Sequence, residues 1–231
     1  MDSSDLLAPA NQTIAPLTNL KVSTETARDS KLTVYKQPEK SAWLVLDRPL
    51  SSDPEILLSV PGTYSSPSGK VEGFVVLNGK IIQRTERQAW NGAAIFRDGV
   101  VSIVETQNGK SLTLDCLKKL ESEGASLIQG HLLVHEGLAE PLKEQPLYQR
   151  RALVVLKTGE QGIVETNKLM DLVTFADQLV ELGVKEAFNL DMGNWSEGWY
   201  RDPQSGALKR IGYLTQNTDK QTNWVVFKSG R

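Results

Sequence analysis

Cysteine is almost missing from this chain: Cys116 is the only one in 231 residues. An intramolecular disulfide is therefore excluded, and so is a zinc site built on several thiolates. Histidine is nearly as scarce, and the two that exist, His131 and His135, stand four residues apart. On a helix that spacing presents two metal ligands on one face. Here the flanking residues read as strand, and no third ligand adjoins them. Neither a metal nor a cofactor is expected. Charge of one sign is lacking too, since 26 Lys and Arg face 28 Asp and Glu for a net charge of −2. No basic surface for nucleic acid or anionic lipid is implied. No apolar run approaches the length of a membrane-spanning helix. No Gly-rich phosphate loop of the Walker or dinucleotide type occurs. Gly-x-Ser-x-Gly is absent as well, which argues against a serine nucleophile. The opening Met1-Asp2-Ser3-Ser4-Asp5 is acidic and is followed by no apolar segment of signal-peptide type.

What the chain does have is punctuated, β-rich sequence. Residues 1–25 are expected to be a tail or linker, rich in Ser, Ala, Asn, Thr and Pro, ahead of a single domain over 26–231. Leu32–Tyr35, Ala42–Leu46 and Glu55–Val60 read as short strands. Asn78-Gly79 and Asp98-Gly99 each sit between apolar runs, and they supply the positive φ that a type I′ hairpin turn requires. A third hairpin turns around Thr158-Gly159. Two helices are predicted. The first runs over 111–123, with Leu114, Leu117 and Leu120 on one face, Cys116 as a small packing residue and Gly124 as its stop. The second runs over 167–182, with Asn167 as N-cap and Gly183 as stop. The fold class expected is α+β: a strand-rich, mixed, twisted sheet with several hairpins and these two helices packed on it.

The second helix leads into Ala187-Phe188-Asn189-Leu190-Asp191-Met192-Gly193-Asn194-Trp195-Ser196-Glu197-Gly198, an apolar strand that runs into a polar loop. The ends of strands after crossover helices are frequent ligand sites, although a polar surface turn has the same composition. The side chains with chemistry to offer are carboxylates and arginines: Asp191, Glu197, Glu136, Arg151 and Arg201. Paired carboxylates serve glycosyl transfer to water, and an arginine fork suits a phosphate. These residue types alone fit an enzyme site or a surface network of ion pairs equally well.

Four segments in order carry a resemblance. Pro61-Gly62-Thr63-Tyr64 is followed by Pro67-Ser68-Gly69 and by Gly73-Phe74-Val75-Val76-Leu77-Asn78-Gly79-Lys80. Gln129-Gly130-His131-Leu132-Leu133-Val134-His135-Glu136-Gly137 comes next, then Arg150-Arg151-Ala152. The last is Phe188-Asn189-Leu190-Asp191-Met192-Gly193-Asn194-Trp195-Ser196. Over roughly residues 30–227 the chain resembles the phosphodiester glycosidase family, where the last segment reads A-x-N-L-D-G-G-G-S. Met192 stands in place of the first glycine after the aspartate, Pro61 in place of an asparagine, and His131 in place of a proline. The resemblance implies hydrolysis of a sugar-1-phosphodiester between the anomeric carbon and the phosphate oxygen, with a carbohydrate or sugar-phosphate as the binding partner. It also implies a periplasmic or extracellular location. On this basis Asp191, Arg151, Glu197 and Glu136 are the expected catalytic residues, with Arg151 holding the phosphodiester anion. Asn189, Gly193, Trp195, Ser196, Thr63 and Gln129 are expected to bind substrate. A non-catalytic carbohydrate-binding module with the same fold is the alternative.

Overall fold

The computed structural model describes residues 19–37, 40–143, 146–215 and 217–229. Residues 1–18, most of the expected tail, lie outside them. In chain order, β1 (Lys21–Ala27) and β2 (Ser30–Lys36) form a hairpin, followed by β3 (Ala42–Val45) and β4 (Ile56–Pro61). The hairpins β5 (Phe74–Leu77) with β6 (Lys80–Arg84) and β7 (Gly92–Arg97) with β8 (Val100–Glu105) come next. Helix α1 (Leu114–Ser122) precedes β9 (Ser126–Gly130), β10 (Leu132–His135) and the short β11 (Leu138–Ala139). Then β12 (Arg151–Leu156) and β13 (Gln161–Thr166) pair, and α2 (Leu172–Glu181) leads into β14 (Val184–Asn189). Strands β15 (Gly198–Arg201), β16 (Leu208–Ile211) and β17 (Trp224–Lys228) complete the domain.

The strand-rich α+β class with two principal helices is what the structure shows. Its strands divide into three sheets ordered β1-β2-β13-β12-β14-β10-β11, β16-β15-β4-β17-β3 and β6-β5-β9-β7-β8. Pairing is antiparallel throughout. Strands β13 and β14 both run antiparallel to β12, which lies between them, so the α2 crossover spans one intervening strand instead of joining neighbours. The Asn-Gly and Asp-Gly turns form as their chemistry requires: φ is 48° and 77° at Asn78 and Gly79, and 49° and 77° at Asp98 and Gly99.

Both helices begin later than the sequence suggests. Ser111 and Leu112 are held in a turn by Thr106 and Gly109 carbonyls, and Thr113 caps α1 by accepting from the Cys116 N–H at 3.3 Å. Asn167 and Lys168 form a bend, and Met170 pairs in a β-bridge with Tyr148, which keeps the helix from starting there. Asp171 then takes over as N-cap of α2, accepting from the Thr174 N–H at 2.9 Å. Gly124 and Gly183 do follow the helices with positive φ. Cys116 packs, partly buried, against the Leu120–Phe74 cluster.

Strand alternation distributes the apolar side chains to two faces. On one face, Leu153, Ile163 and Phe188 of the seven-stranded sheet meet Leu58, Val60, Val75, Ile128, Val225 and Phe227 of the other two sheets in the central core. On the other, Ala152, Val154, Val164 and Ala187 pack under Phe175, Ala176 and Leu179 of α2. Each such large side chain contributes about 1.5–3 kcal/mol on burial. The core is close enough that a Cβ at Gly130 would lie 2.6 Å from the Phe188 ring.

Candidate active site

Beyond the end of β14 the chain leaves the sheet as Leu190-Asp191-Met192 and turns through a 3-10 turn, Gly193–Trp195. Gly193 sits at φ 72°, a conformation that favours glycine. Met192, at φ −145°, is ordinary extended backbone, so the methionine costs no strain there. This stretch floors an open cleft of about 970 Å³, at the upper end of what small-molecule sites occupy, roughly 300–1,000 Å³. Its walls come from far apart in sequence: Tyr64 after β4, Trp90 before β7, His131 between β9 and β10, Glu140 after β11 and Arg150 before β12.

Asp191 is the focus. Its side chain is nearly buried, and its main-chain N–H donates to the Gly62 carbonyl at 2.8 Å. The carboxylate accepts from the Met192 N–H at 2.9 Å and the Ser65 N–H at 3.3 Å. Burial pushes its carboxyl up to about 7, against the pull of those two N–H groups and of the Arg151 charge. A carboxyl poised near neutrality in a cleft is suited to proton transfer. Beside it, the Asn189 amide donates to the Tyr64 hydroxyl at 2.7 Å. The Tyr64 ring lies 4.8 Å from Trp90 and 5.9 Å from His131, centroid to centroid. Burial lowers the His131 pKa, which favours the neutral ring. Burial likewise raises the Glu140 carboxyl, which accepts from the Asn91 amide at 2.8 Å.

Adjacent arginines go to opposite faces. Arg150 lines the cleft. Its Nε donates to the Met170 carbonyl at 2.9 Å, Nη2 donates to the Pro146 carbonyl, and the guanidinium lies 5.3 Å from the centre of the Tyr148 ring. Nη1 makes no hydrogen bond among the described residues, leaving it available to an anion. Arg151 follows the inward parity of Leu153 and has no solvent exposure. It donates through Nε and Nη2 to Glu165 Oε2, at 2.8 and 2.6 Å, and through Nη1 to the Ser196 carbonyl at 3.1 Å.

A sequence model of the family described as phosphodiester glycosidase matches residues 55–226. The chain belongs to the phosphodiester glycosidase family. This hydrolase is similar in structure to the catalytic domain of zebrafish N-acetylglucosamine-1-phosphodiester alpha-N-acetylglucosaminidase, a protein auto-inhibited by its pro-peptide. The TM-score is 0.60 at 16% identity, covering 96% of this chain and 86% of that one. It is also similar to a hypothetical protein from Synechocystis, with a TM-score of 0.58 at 12% identity over 91% of this chain and 62% of that one. At these identities the two structures attest the fold. No curated protein sequence matches significantly.

In this phosphodiester glycosidase the expected site residues separate into three groups. Asp191, Asn189, Gly193 and Trp195 line the cleft together. The Trp195 indole N–H is buried and meets no acceptor among the described residues.

Arg151, Ser196, Thr63 and Gln129 lie behind the cleft wall and hold it. Ser196 Oγ accepts from the Tyr213 N–H at 3.0 Å. Thr63 Oγ1 donates to the Gln129 carbonyl at 2.7 Å, and the Thr63 N–H donates to Asn223 Oδ1 at 2.7 Å. Gln129 staples the loop that carries Trp90. Its Oε1 accepts from the Arg87 N–H at 3.1 Å, and its Nε2 donates to the Arg87 and Trp90 carbonyls at 2.9 and 3.0 Å.

Glu197 and Glu136 stand outside the cleft. Glu197 pairs with Arg48 at 2.6 Å. Glu136 is exposed in the β10–β11 turn at φ 50°. Arg201 is occupied by the carbonyls of Ile56, Ser51 and Asp53. The cleft's second carboxylate candidate, Glu140, its aromatic wall and Arg150 were not among the expected site residues. Tyr64, His131 and Arg150 do fall inside the segments that carry the family resemblance, whereas Trp90 and Glu140 had no sequence signal.

Proposed function

We propose that this phosphodiester glycosidase hydrolyses a sugar-1-phosphodiester by breaking the bond between the anomeric carbon and the phosphate oxygen. The observation that carries the reading is Asp191, a carboxyl that burial brings to about 7, on the floor of the cleft that Arg150 also lines. Arg150 takes the phosphodiester anion, the role first expected of Arg151, because it lines the cleft and its Nη1 makes no hydrogen bond among the described residues, while Arg151's guanidinium bonds go to Glu165 and the Ser196 carbonyl. A phosphate held by a guanidinium is a competent leaving group without a strong general acid. The electron pair of the breaking bond leaves with the phosphate, and Asp191 as carboxylate takes a proton from the water that attacks the anomeric carbon. Glu140 is the second carboxylate: Glu197 and Glu136 do not line the cleft, and of the two glutamates that do, Glu105 is exposed whereas Glu140 is half-buried and held by the Asn91 amide. The ring faces of Tyr64 and Trp90 suit the apolar faces of a sugar.

The site of action in this reading is an envelope or extracellular glycan, a location supported by the resemblance alone and tested by cell fractionation. The function is tested by assaying a panel of sugar-1-phosphodiesters with the purified protein, Asp191→Asn and Arg150→Ala. Release of free sugar by the wild type, and its loss in both variants, is expected. Equal rates in all three would remove these assignments. Glycan binding without turnover is the second reading, favoured by Met192 in the cleft lining, at the position where the motif of the resembled family has glycine. Calorimetric binding of a glycan that is never cleaved would select it.

A further inference from the structure

We infer that Arg151 and Glu165 are a positioning pair: without touching substrate, they pin the Gly193–Trp195 turn and place a fixed positive charge behind Asp191. This rests on the proposed function only in giving Asp191 the proton transfer.

The geometry is specific. Arg151 and Glu165 are register partners on β12 and β13, directly opposite each other. Neither is a surface residue, with side-chain exposures of 0% and 6%. Burying two charges carries a large desolvation penalty, and well-packed apolar side chains would serve stability as well or better. A pair held this deep is therefore better explained by what it positions. The third bond of the guanidinium, from Nη1 to the Ser196 carbonyl, reaches the residue that closes the 3-10 turn carrying Gly193 and Trp195. The same arginine's main-chain carbonyl accepts from the Leu190 N–H at 3.0 Å, one residue before Asp191. One residue thus braces the cleft floor on both sides of the aspartate. Its charge also favours the ionised form of Asp191. The other titratable groups around Asp191 are Tyr64, which feels the Asp191 charge, together with Tyr148, Arg150, Lys143 and His131 in the cleft and Glu105 and Glu140 on its wall. The positive charges near it are those of Lys143 and Arg150 in the cleft and of Arg151 behind it, and of these Arg151 is the one held in a buried pair with a carboxylate.

The pair makes a signed prediction that a purely structural role does not. Removing the arginine's charge raises the Asp191 pKa. Neutralising Glu165 leaves the arginine uncompensated and lowers it. The experiment is a carbon-13 carboxyl NMR titration of Asp191, with the resonance identified by its loss in Asp191→Asn, on the wild type, Arg151→Met, Arg151→Lys and Glu165→Gln. The expected shifts are upward in Arg151→Met and downward in Glu165→Gln, each by roughly half a pH unit or more. Arg151→Lys, which keeps the charge but loses the fork, stays near the wild type and instead weakens substrate binding through the loosened turn. Shifts of the same sign in Arg151→Met and Glu165→Gln, or none in either, would overturn the inference. If Arg151→Met does not fold, Glu165→Gln decides alone, because it keeps volume and an acceptor for the arginine. The titration reads no turnover, so a failed hydrolysis assay and a failed titration are separate results.

Discussion

Asn189 and Tyr64, 125 residues apart, meet in a 2.7 Å hydrogen bond at the end of β14, with Asp191 two residues farther on. That bond joins the segment after β4 to the floor of the cleft. It places the aromatic wall, Tyr64 against Trp90, over the carboxyl on which the account depends.

The pH dependence of turnover follows from Asp191. Acting as a base requires the carboxylate, and the carboxyl titrates at about 7. The rate constant kcat/KM is expected to rise about tenfold per pH unit below that value and to level off above it. A profile already flat from pH 5 upward would show that Asp191 is not the proton acceptor.

The same burial has a stability consequence of definite sign. An unfolded aspartate titrates near 3.9, as is usual for this side chain, whereas the folded one holds its proton to about 7. Between these values the folded state binds the extra proton, so stability falls as pH rises, and the full cost is present above 7. Asp191→Asn is therefore expected to match the wild type in denaturant stability near pH 4 and to exceed it at pH 8. The gain is at most about 4 kcal/mol, less about 1 kcal/mol for a hydrogen bond the amide cannot replace. Urea titrations at the two pH values measure it.

Arg150 is predicted to bind the phosphodiester by geometry as well as charge. Arg150→Lys keeps a cation but cannot hold the Met170 and Pro146 carbonyls while presenting a further N–H. A loss of about 10²-fold in kcat/KM is expected, with inorganic phosphate weakened as a competitive inhibitor in parallel. Wild-type inhibition by phosphate in this variant would place the anion elsewhere.

Glu136 serves as the outlying control. It holds a positive φ at the first position of an exposed turn ahead of Gly137, where asparagine fits better. Glu136→Asn is expected to stabilise the protein by roughly 0.5 kcal/mol and to leave kcat/KM within twofold, as read by thermal melts and initial rates.

Much of the frame was legible where local chemistry decides it. Asn78-Gly79 and Asp98-Gly99 specified their own turns, and Gly124 and Gly183 ended their helices. The start of α2 was misplaced by four residues because a long-range bridge, Tyr148 to Met170, outweighs the capping potential of Asn167. The arginines show the deeper limit. Ala152-Leu153-Val154-Val155 is apolar on both faces, since one face packs under α2 and the other in the central core. Alternation along such a strand has no visible phase, so which of Arg150 and Arg151 faces the cleft was not written locally. Trp90 and Glu140 reach the site only through tertiary contacts, by way of the Gln129 staple and the Asn91 amide.

The central claim concerns which bond breaks, and hydrolysis in oxygen-18 water tests it most directly. Cleavage between the anomeric carbon and the phosphate oxygen puts the label in the anomeric hydroxyl of the released sugar and none in the phosphate monoester, as mass spectrometry of the two products would record. Label in the phosphate would mean attack at phosphorus and would contradict the account.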